Sequence, residues 1–218
     1  MEDKQIISRK RVADHGEVFT SKREVKAMLD LVKMESFSVD SRCLEPACGT
    51  GNFLIELLER KLSIVKGDYA KNQSEFEFFS AKAISSLYGI DILEDSIEYT
   101  RKRLFKSFDS LYRSLFGDNI NEKFLESINF ILERNIIWGD ALTYMTPEEN
   151  PKPIIFSEWS FLKKGYVKRK DYTLKNLLDN SSIKSLPLFS DAGDDIVIPN
   201  ALKEYPVSDL LEIVKEKP

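Results

Sequence analysis

The chain has 218 residues, 42% hydrophobic and 31% charged, with a formal net charge of −4. That length supports one buried core with a small appendage, and the acidic balance argues against a general polyanion binder while leaving room for a local basic face. His15 as the only histidine excludes histidine-clustered metal sites and argues against a Ser-His-Asp triad, and Cys43 and Cys48 are too few for a disulfide framework.

Residues 1–14 are polar and mixed in charge and read as a flexible arm. The start Met1-Glu2-Asp3-Lys4 is no signal peptide, and no apolar run approaches a membrane span, so a cytoplasmic setting with reduced cysteines is expected. His15-Gly16-Glu17-Val18-Phe19-Thr20 leads into a helix capped by Thr20 or Ser21 and running through Lys33. Val25, Met28, Leu29 and Val32 lie on one face of it.

Cys43 and Leu44 then form a short apolar strand ending in Glu45 and Pro46. A loop containing Gly49 and Gly51 follows, and Phe53-Leu54-Ile55-Glu56-Leu57-Leu58 is an amphipathic helix start. Glycines let backbone N–H groups approach a ligand closely, and a helix start favours negative charge. A lone Gly-x-Gly is most often an ordinary strand-to-helix turn, so its meaning depends on its company.

That company comes downstream. An extra segment, 63–86, contains Phe76, Phe79, Ala83 and Ile84 at helical spacing over 74–86, which predicts a supporting helix. Tyr88-Gly89-Ile90-Asp91-Ile92 reads as a second strand ending in an acid, the position that binds ribose hydroxyls in nucleotide folds. Asp91 lies 40 residues beyond Gly51, against roughly 20 in a minimal dinucleotide unit; the inserted helix accounts for the difference. A long helix over 94–116 is basic on one side and places Ile97, Leu104, Phe108 and Leu111 inward. A weaker helix follows over 120–132, then Ile136-Ile137-Trp138-Gly139-Asp140-Ala141-Leu142, a third strand with an acid at its end. Pro153-Ile154-Ile155-Phe156 reads as a fourth strand. Beyond it the α/β rhythm stops: 157–175 is basic and aromatic, 179–200 is turn-rich, and 207–214 forms a short closing helix.

The stretch 16–20, the loop 45–53, Asp91 and Asp140, taken in that order, resemble the adenine-N6 DNA methyltransferases that place their cofactor motifs before the catalytic one. The resemblance covers about residues 8–142. It implies a Rossmann-like α/β fold with a mainly parallel sheet, incomplete at its C-terminal side because four strands stand where the family has seven. The implied division is a flexible arm at 1–14, an S-adenosylmethionine-binding domain at 15–156, and a basic, irregular extension at 157–218.

The resemblance also assigns roles. Pro46, Ala47, Gly49, Gly51 and Phe53 belong to the loop and helix start that take the cofactor carboxylate. Glu45 pairs with its ammonium or orients the loop. Asp91 accepts from the ribose hydroxyls and Asp140 from the adenine amino group, with Ile92, Ala141 and Leu142 around them. Phe19 and Thr20 close the methionine end. The implied setting is a restriction-modification system acting on DNA.

The catalytic motif departs from the family. Asn/Asp/Ser-Pro-Pro-Tyr/Phe is expected just after the fourth strand, and this chain has Ser157-Glu158-Trp159-Ser160 there. Both prolines are missing and the aromatic comes one residue early. Asn150-Pro151 precedes the strand, at the wrong end of the sheet. Three readings stay open: Ser157 and Trp159 replace the motif in altered form, the chain binds cofactor without methylating, or a partner subunit supplies the catalytic half. A methyltransferase acting on RNA or protein is a further alternative. Between 163 and 175 there are six Lys or Arg and one acid. Lys163, Lys164, Lys168, Arg169 and Lys170 are therefore the nucleic-acid candidates, against the plainer reading of a solvated face.

Overall fold

A computed structural model describes residues 20–31, 38–183 and 200–216. Phe19 and the rest of the stretch before Thr20 lie outside these, as does Val32. Among the described residues no helix is long and apolar enough to cross a membrane.

The first helix, α1 (Lys22–Leu31), begins with a reciprocal cap. Ser21 Oγ accepts the Glu24 N–H at 3.3 Å, and the Glu24 carboxylate accepts the Ser21 N–H at 3.1 Å, which makes Ser21 the cap. Val25 and Leu29 are buried, whereas Met28 is exposed. Strand β1 (Cys43–Glu45) leads into α2 (Asn52–Tyr69), and α3 (Gln73–Ser85) is the inserted helix. Asn72 caps α3 by accepting the Glu75 N–H at 3.3 Å, and Tyr69 stacks on Phe79 at 4.0 Å. Strand β2 (Leu87–Asp91), helices α4 (Glu94–Phe116) and α5 (Glu122–Asn135), and strand β3 (Ile136–Trp138) complete the first layer.

The three strands form a parallel sheet in the order β1-β2-β3, with Glu45 opposite Gly89 and Asp91 opposite Trp138. Alternation along β2 divides the interior in two. Leu87 and Ile136 join the large cluster with Leu54, Leu58, Phe76, Leu104, Phe108, Phe124 and Ile131. Ile90 joins a smaller one with Ile154, Phe156 and Leu174.

The fourth strand differs from expectation. Strand β4 runs over Ile155–Phe161 and pairs antiparallel with β5 (Tyr166–Thr173), from Ile155 opposite Thr173 to Phe161 opposite Val167. Helix α6 (Leu174–Ile183) follows, and the short strands β6 (Lys203–Glu204) and β7 (Ser208–Asp209) pair with β5. The segment after Phe156 is therefore a hairpin in a second sheet. It looked irregular because two inward positions of β5 are Arg169 and Asp171, and charge there hides the period of two. The closing segment is a 3₁₀ helix at Leu210–Lys215. Leu210 and Ile213 share the large cluster with Trp159 and Val167, and Ser127 on α5 donates to the Leu210 carbonyl at 2.7 Å.

Lys61 on α2 is fully buried, and its ammonium donates to the carbonyls of Ser38 and Val39 at 3.1 Å and of Ser41 at 2.7 Å. Burial lowers its pKa to about 8, opposed by Cys43 and Asp40, so the ammonium persists at neutral pH. It fixes the approach to β1. Lys61→Met is expected to lower unfolding free energy by about 1–3 kcal/mol, because three carbonyls lose their donor; urea denaturation measures this, and a loss within experimental error would show that water replaces the ammonium.

Candidate cofactor site at the carboxyl edge of the parallel sheet

The turn after β1 is built from short backbone bonds. Cys48 N–H donates to Ile90 O at 2.8 Å, Gly51 N–H to Cys48 O at 2.8 Å, and Ile55 N–H to Gly51 O at 2.9 Å, which starts α2. Gly51 has φ +80°, and a Cβ on it would stand 2.7 Å from Thr100 Cγ2 on α4. Both the left-handed backbone and the close helix require glycine there.

Asp91 joins this turn to β2. Its Oδ2 accepts the Gly49 N–H at 2.7 Å and its Oδ1 accepts the Leu93 N–H at 2.9 Å. A carboxylate has about four acceptor positions, so hydroxyl groups of a ligand can still be received. Asp140 closes a similar turn, accepting the Leu142 N–H at 2.9 Å. The two acids lie at neighbouring strand ends, held together by Gly139 N–H donating to Asp91 O at 2.9 Å and Trp138 Nε1–H to Ile92 O at 2.9 Å. Leu142 is 90% exposed and Ile92 is also exposed. They are apolar residues at the solvent-facing edge, next to the acids.

Glu45 is half-buried at the end of β1. Burial raises its carboxyl pKa, opposed by a hydrogen bond from the Ala47 N–H. Pro46 and Ala47 are exposed, Gly49 and Phe53 partly so. Ala141 packs beside the smaller core. Thr20 is brought to the same place: its carbonyl accepts from Asn52 Nδ2 at 2.9 Å. Burial, with Asp91 and Glu45 nearby, pushes the Cys48 thiol up, so it stands as a neutral thiol and not as a nucleophile.

The N–H groups of Thr50, Asn52 and Phe53 have no acceptor among the described residues. Unpaired donors at a helix start are the ordinary seat of an anionic group.

Three participants were not singled out in the sequence. Thr100 donates to Gly49 O at 2.9 Å. Arg103 Nη1 donates to Thr50 O and, at 2.9 Å, to Asn52 Oδ1. Asn52 therefore bridges Arg103 to Thr20. The available signal was the three-residue spacing of Thr100 and Arg103 on the helix that follows Asp91, which puts both on one face.

The expected catalytic and nucleic-acid residues are placed elsewhere. Ser157 is buried and donates to Asp171 Oδ1 at 2.7 Å. Trp159 is buried, with Nε1 donating to Asn135 Oδ1 at 3.0 Å and its ring edge-on to Phe130. Arg169 corrects an expectation: it is 3% exposed and donates to Asp171 at 2.8 and 2.6 Å, so its charge meets an internal acid and not a phosphate. Lys168 and Lys170 each reach Glu204 at 2.8 Å, and hydrogen bonds from these two lysines pull the Glu204 carboxyl down to about 2. Lys163 is exposed at the hairpin turn. The side chain of Lys164 lies outside the described set. A cavity of about 370 Å³ opens beside β1, lined by Leu44, Tyr88, Phe156, Tyr172, Leu177 and Leu178 together with the polar residues Arg42, Ser157 and Glu158. Its apolar walls include no residue of the glycine loop.

A parallel α/β sheet with a glycine turn and strand-end acids at its carboxyl edge is compatible with a Rossmann-like fold. Over 67 residues the chain is 36% identical to a protein of Methanocaldococcus jannaschii that carries the name of a type II restriction enzyme and methyltransferase; the match covers 29% of this chain and 6% of that protein. No family model matches the chain, and no solved structure matches it significantly. The shared segment is a partial likeness to a methyltransferase of restriction-modification type.

Proposed function

We propose that this chain binds S-adenosylmethionine at the carboxyl edge of its parallel sheet and serves adenine-N6 methylation of DNA in a restriction-modification setting. The observation that carries this reading is the Asp91 carboxylate bonded to the Gly49 N–H, which locks a nucleotide-type acid to the glycine loop in one site. The unpaired N–H groups of Thr50, Asn52 and Phe53 suit the cofactor's carboxylate, and Glu45 suits its ammonium. Asp91 has acceptor capacity for the ribose hydroxyls, Asp140 for the adenine amino group, and Ile92 and Leu142 offer the adenine apolar contact. When bound, the cofactor supplies an electrophilic methyl group. The chain's own residues orient it by its four polar handles.

A second reading concerns catalysis. Ser157 and Trp159 both have their polar atoms engaged inside the fold, by Asp171 and Asn135. That favours a cofactor-binding subunit whose methyl acceptor is held by a partner polypeptide. The basic side chains of Lys163, Lys168 and Lys170 remain the local candidates for contact with DNA phosphates.

Titration calorimetry with S-adenosylmethionine and S-adenosylhomocysteine tests the first reading. Saturable binding at a one-to-one ratio is expected. Absence of binding to folded protein would overturn it. A radiolabelled methyl-transfer assay on adenine-containing DNA then separates the two readings: transfer by the chain alone supports direct catalysis, and binding without transfer supports the partner.

A further inference from the structure

We infer that Arg103 is a positioning residue that sets the methionine end of the cofactor site without touching the nucleoside end. The inference rests on the proposed binding of S-adenosylmethionine. Arg103 lies on α4, the helix that begins just after the Asp91 turn. One nitrogen, Nη1, serves two acceptors: the carbonyl of Thr50, in the middle of the glycine turn, and the Oδ1 of Asn52, the first residue of α2. The guanidinium also lies over the Tyr99 ring at 5.7 Å.

The second bond has a directional consequence. An amide side chain whose oxygen is held by a donor presents its nitrogen on the opposite side. Asn52 Nδ2 donates to the Thr20 carbonyl at 2.9 Å. The path Arg103–Asn52–Thr20 therefore gives the amide one orientation and ties the residue before the α1 cap to the start of α2. Thr100, one turn earlier on α4, holds the Gly49 carbonyl at 2.9 Å. The carbonyls of Gly49 and Thr50 are thus both held from α4.

The two ends of the site are supported differently. Asp91 and Asp140 are oriented by N–H groups of Leu93, Gly49 and Leu142. None of those bonds involves Arg103. Loss of the guanidinium therefore loosens Thr50, Asn52 and the Thr20 contact, while Gly49, held by Thr100 through its carbonyl and by Asp91 through its N–H, keeps the acids in place. Its Nε and Nη2 have no hydrogen-bond partner among the described residues, so its function is concentrated on Thr50 and Asn52.

The test uses the full chain and two ligands: S-adenosylhomocysteine, which carries the amino-acid part, and 5′-methylthioadenosine, which keeps the nucleoside and lacks it. Arg103→Met is expected to weaken S-adenosylhomocysteine by about tenfold or more, with 5′-methylthioadenosine and the melting temperature of the free protein nearly unchanged. Arg103→Lys, which can satisfy one of the two acceptors, is expected to recover part of the loss. Equal weakening of both ligands, unchanged affinity for S-adenosylhomocysteine, or a fall in melting temperature parallel to the fall in affinity would each overturn the assignment. If wild type binds S-adenosylhomocysteine alone, the same decision rests on its affinity against the melting temperature. If wild type binds neither ligand, the cofactor reading itself fails, and the role of Arg103 fails with it.

Discussion

Replacement of Asp171 by alanine is expected to lower the unfolding free energy by about 3–5 kcal/mol, the range for leaving one partner of a buried ion pair alone. Asp171 and Arg169 face the same side of β5, and both are buried. The aspartate also accepts from Ser157 at 2.7 Å and from Tyr205 at 3.1 Å, and the guanidinium lies over the Tyr205 ring at 4.1 Å. Removing the acid leaves a cation inside the second sheet with only aromatic faces, the Ser157 hydroxyl and no counter-ion. Its Nη1 already lacks a hydrogen-bond partner. The double variant Arg169→Met/Asp171→Leu removes both charges and is expected to recover most of the loss, since apolar residues of similar volume replace a buried pair at little net cost. Chemical denaturation of the two variants decides the matter. A single variant as stable as wild type would mean that the pair contributes nothing to holding β4 and β5 together.

Asp91→Ala is expected to weaken cofactor binding by about 1–3 kcal/mol, the range for a buried group that loses its partner. Two effects combine. The carboxylate no longer receives the ribose hydroxyls, and the Gly49 and Leu93 N–H groups, at 2.7 and 2.9 Å, lose their acceptor. The glycine turn then has no bond from its Gly49 N–H to β2, although Cys48 N–H still reaches Ile90 O. Asp91→Asn retains one acceptor oxygen and is expected to fall between wild type and Asp91→Ala. Calorimetry with S-adenosylhomocysteine on all three proteins measures the series; affinity unchanged in Asp91→Ala would sink the ribose assignment.

Much of the candidate site's framework was legible because each part is a local pattern. The glycine turn announces itself through two glycines between an apolar strand and an amphipathic helix, and the acids through their place at strand ends. The inserted helix was readable from Phe76 and Phe79 at helical spacing, and both pack as that spacing requires: Phe76 is buried and Phe79 stacks on Tyr69. The hairpin was not readable. Its inward positions carry Arg169 and Asp171, which satisfy each other, and pairing of that kind is invisible until the strands are folded together. For the same reason the internal pairing of Arg169, a phosphate candidate on sequence, and the packing of Trp159 on Phe130 emerge only in the folded chain.

Local patterns in the chain specify that the first three strands form, the loop between the first strand and its helix, and the order of the acids, since period, glycine content and strand-end position are local properties; the parallel pairing was an implication of the family resemblance. Which side chains hold that loop depends on the packing of distant elements. Thr100 and Arg103 are about 50 residues from their acceptors. Their meaning comes from α4 crossing beside α2, and no local pattern encodes that crossing. The direction of β4 was settled the same way: an apolar run fixes that a strand forms, but its partner depends on which edge is nearest once the helices have packed.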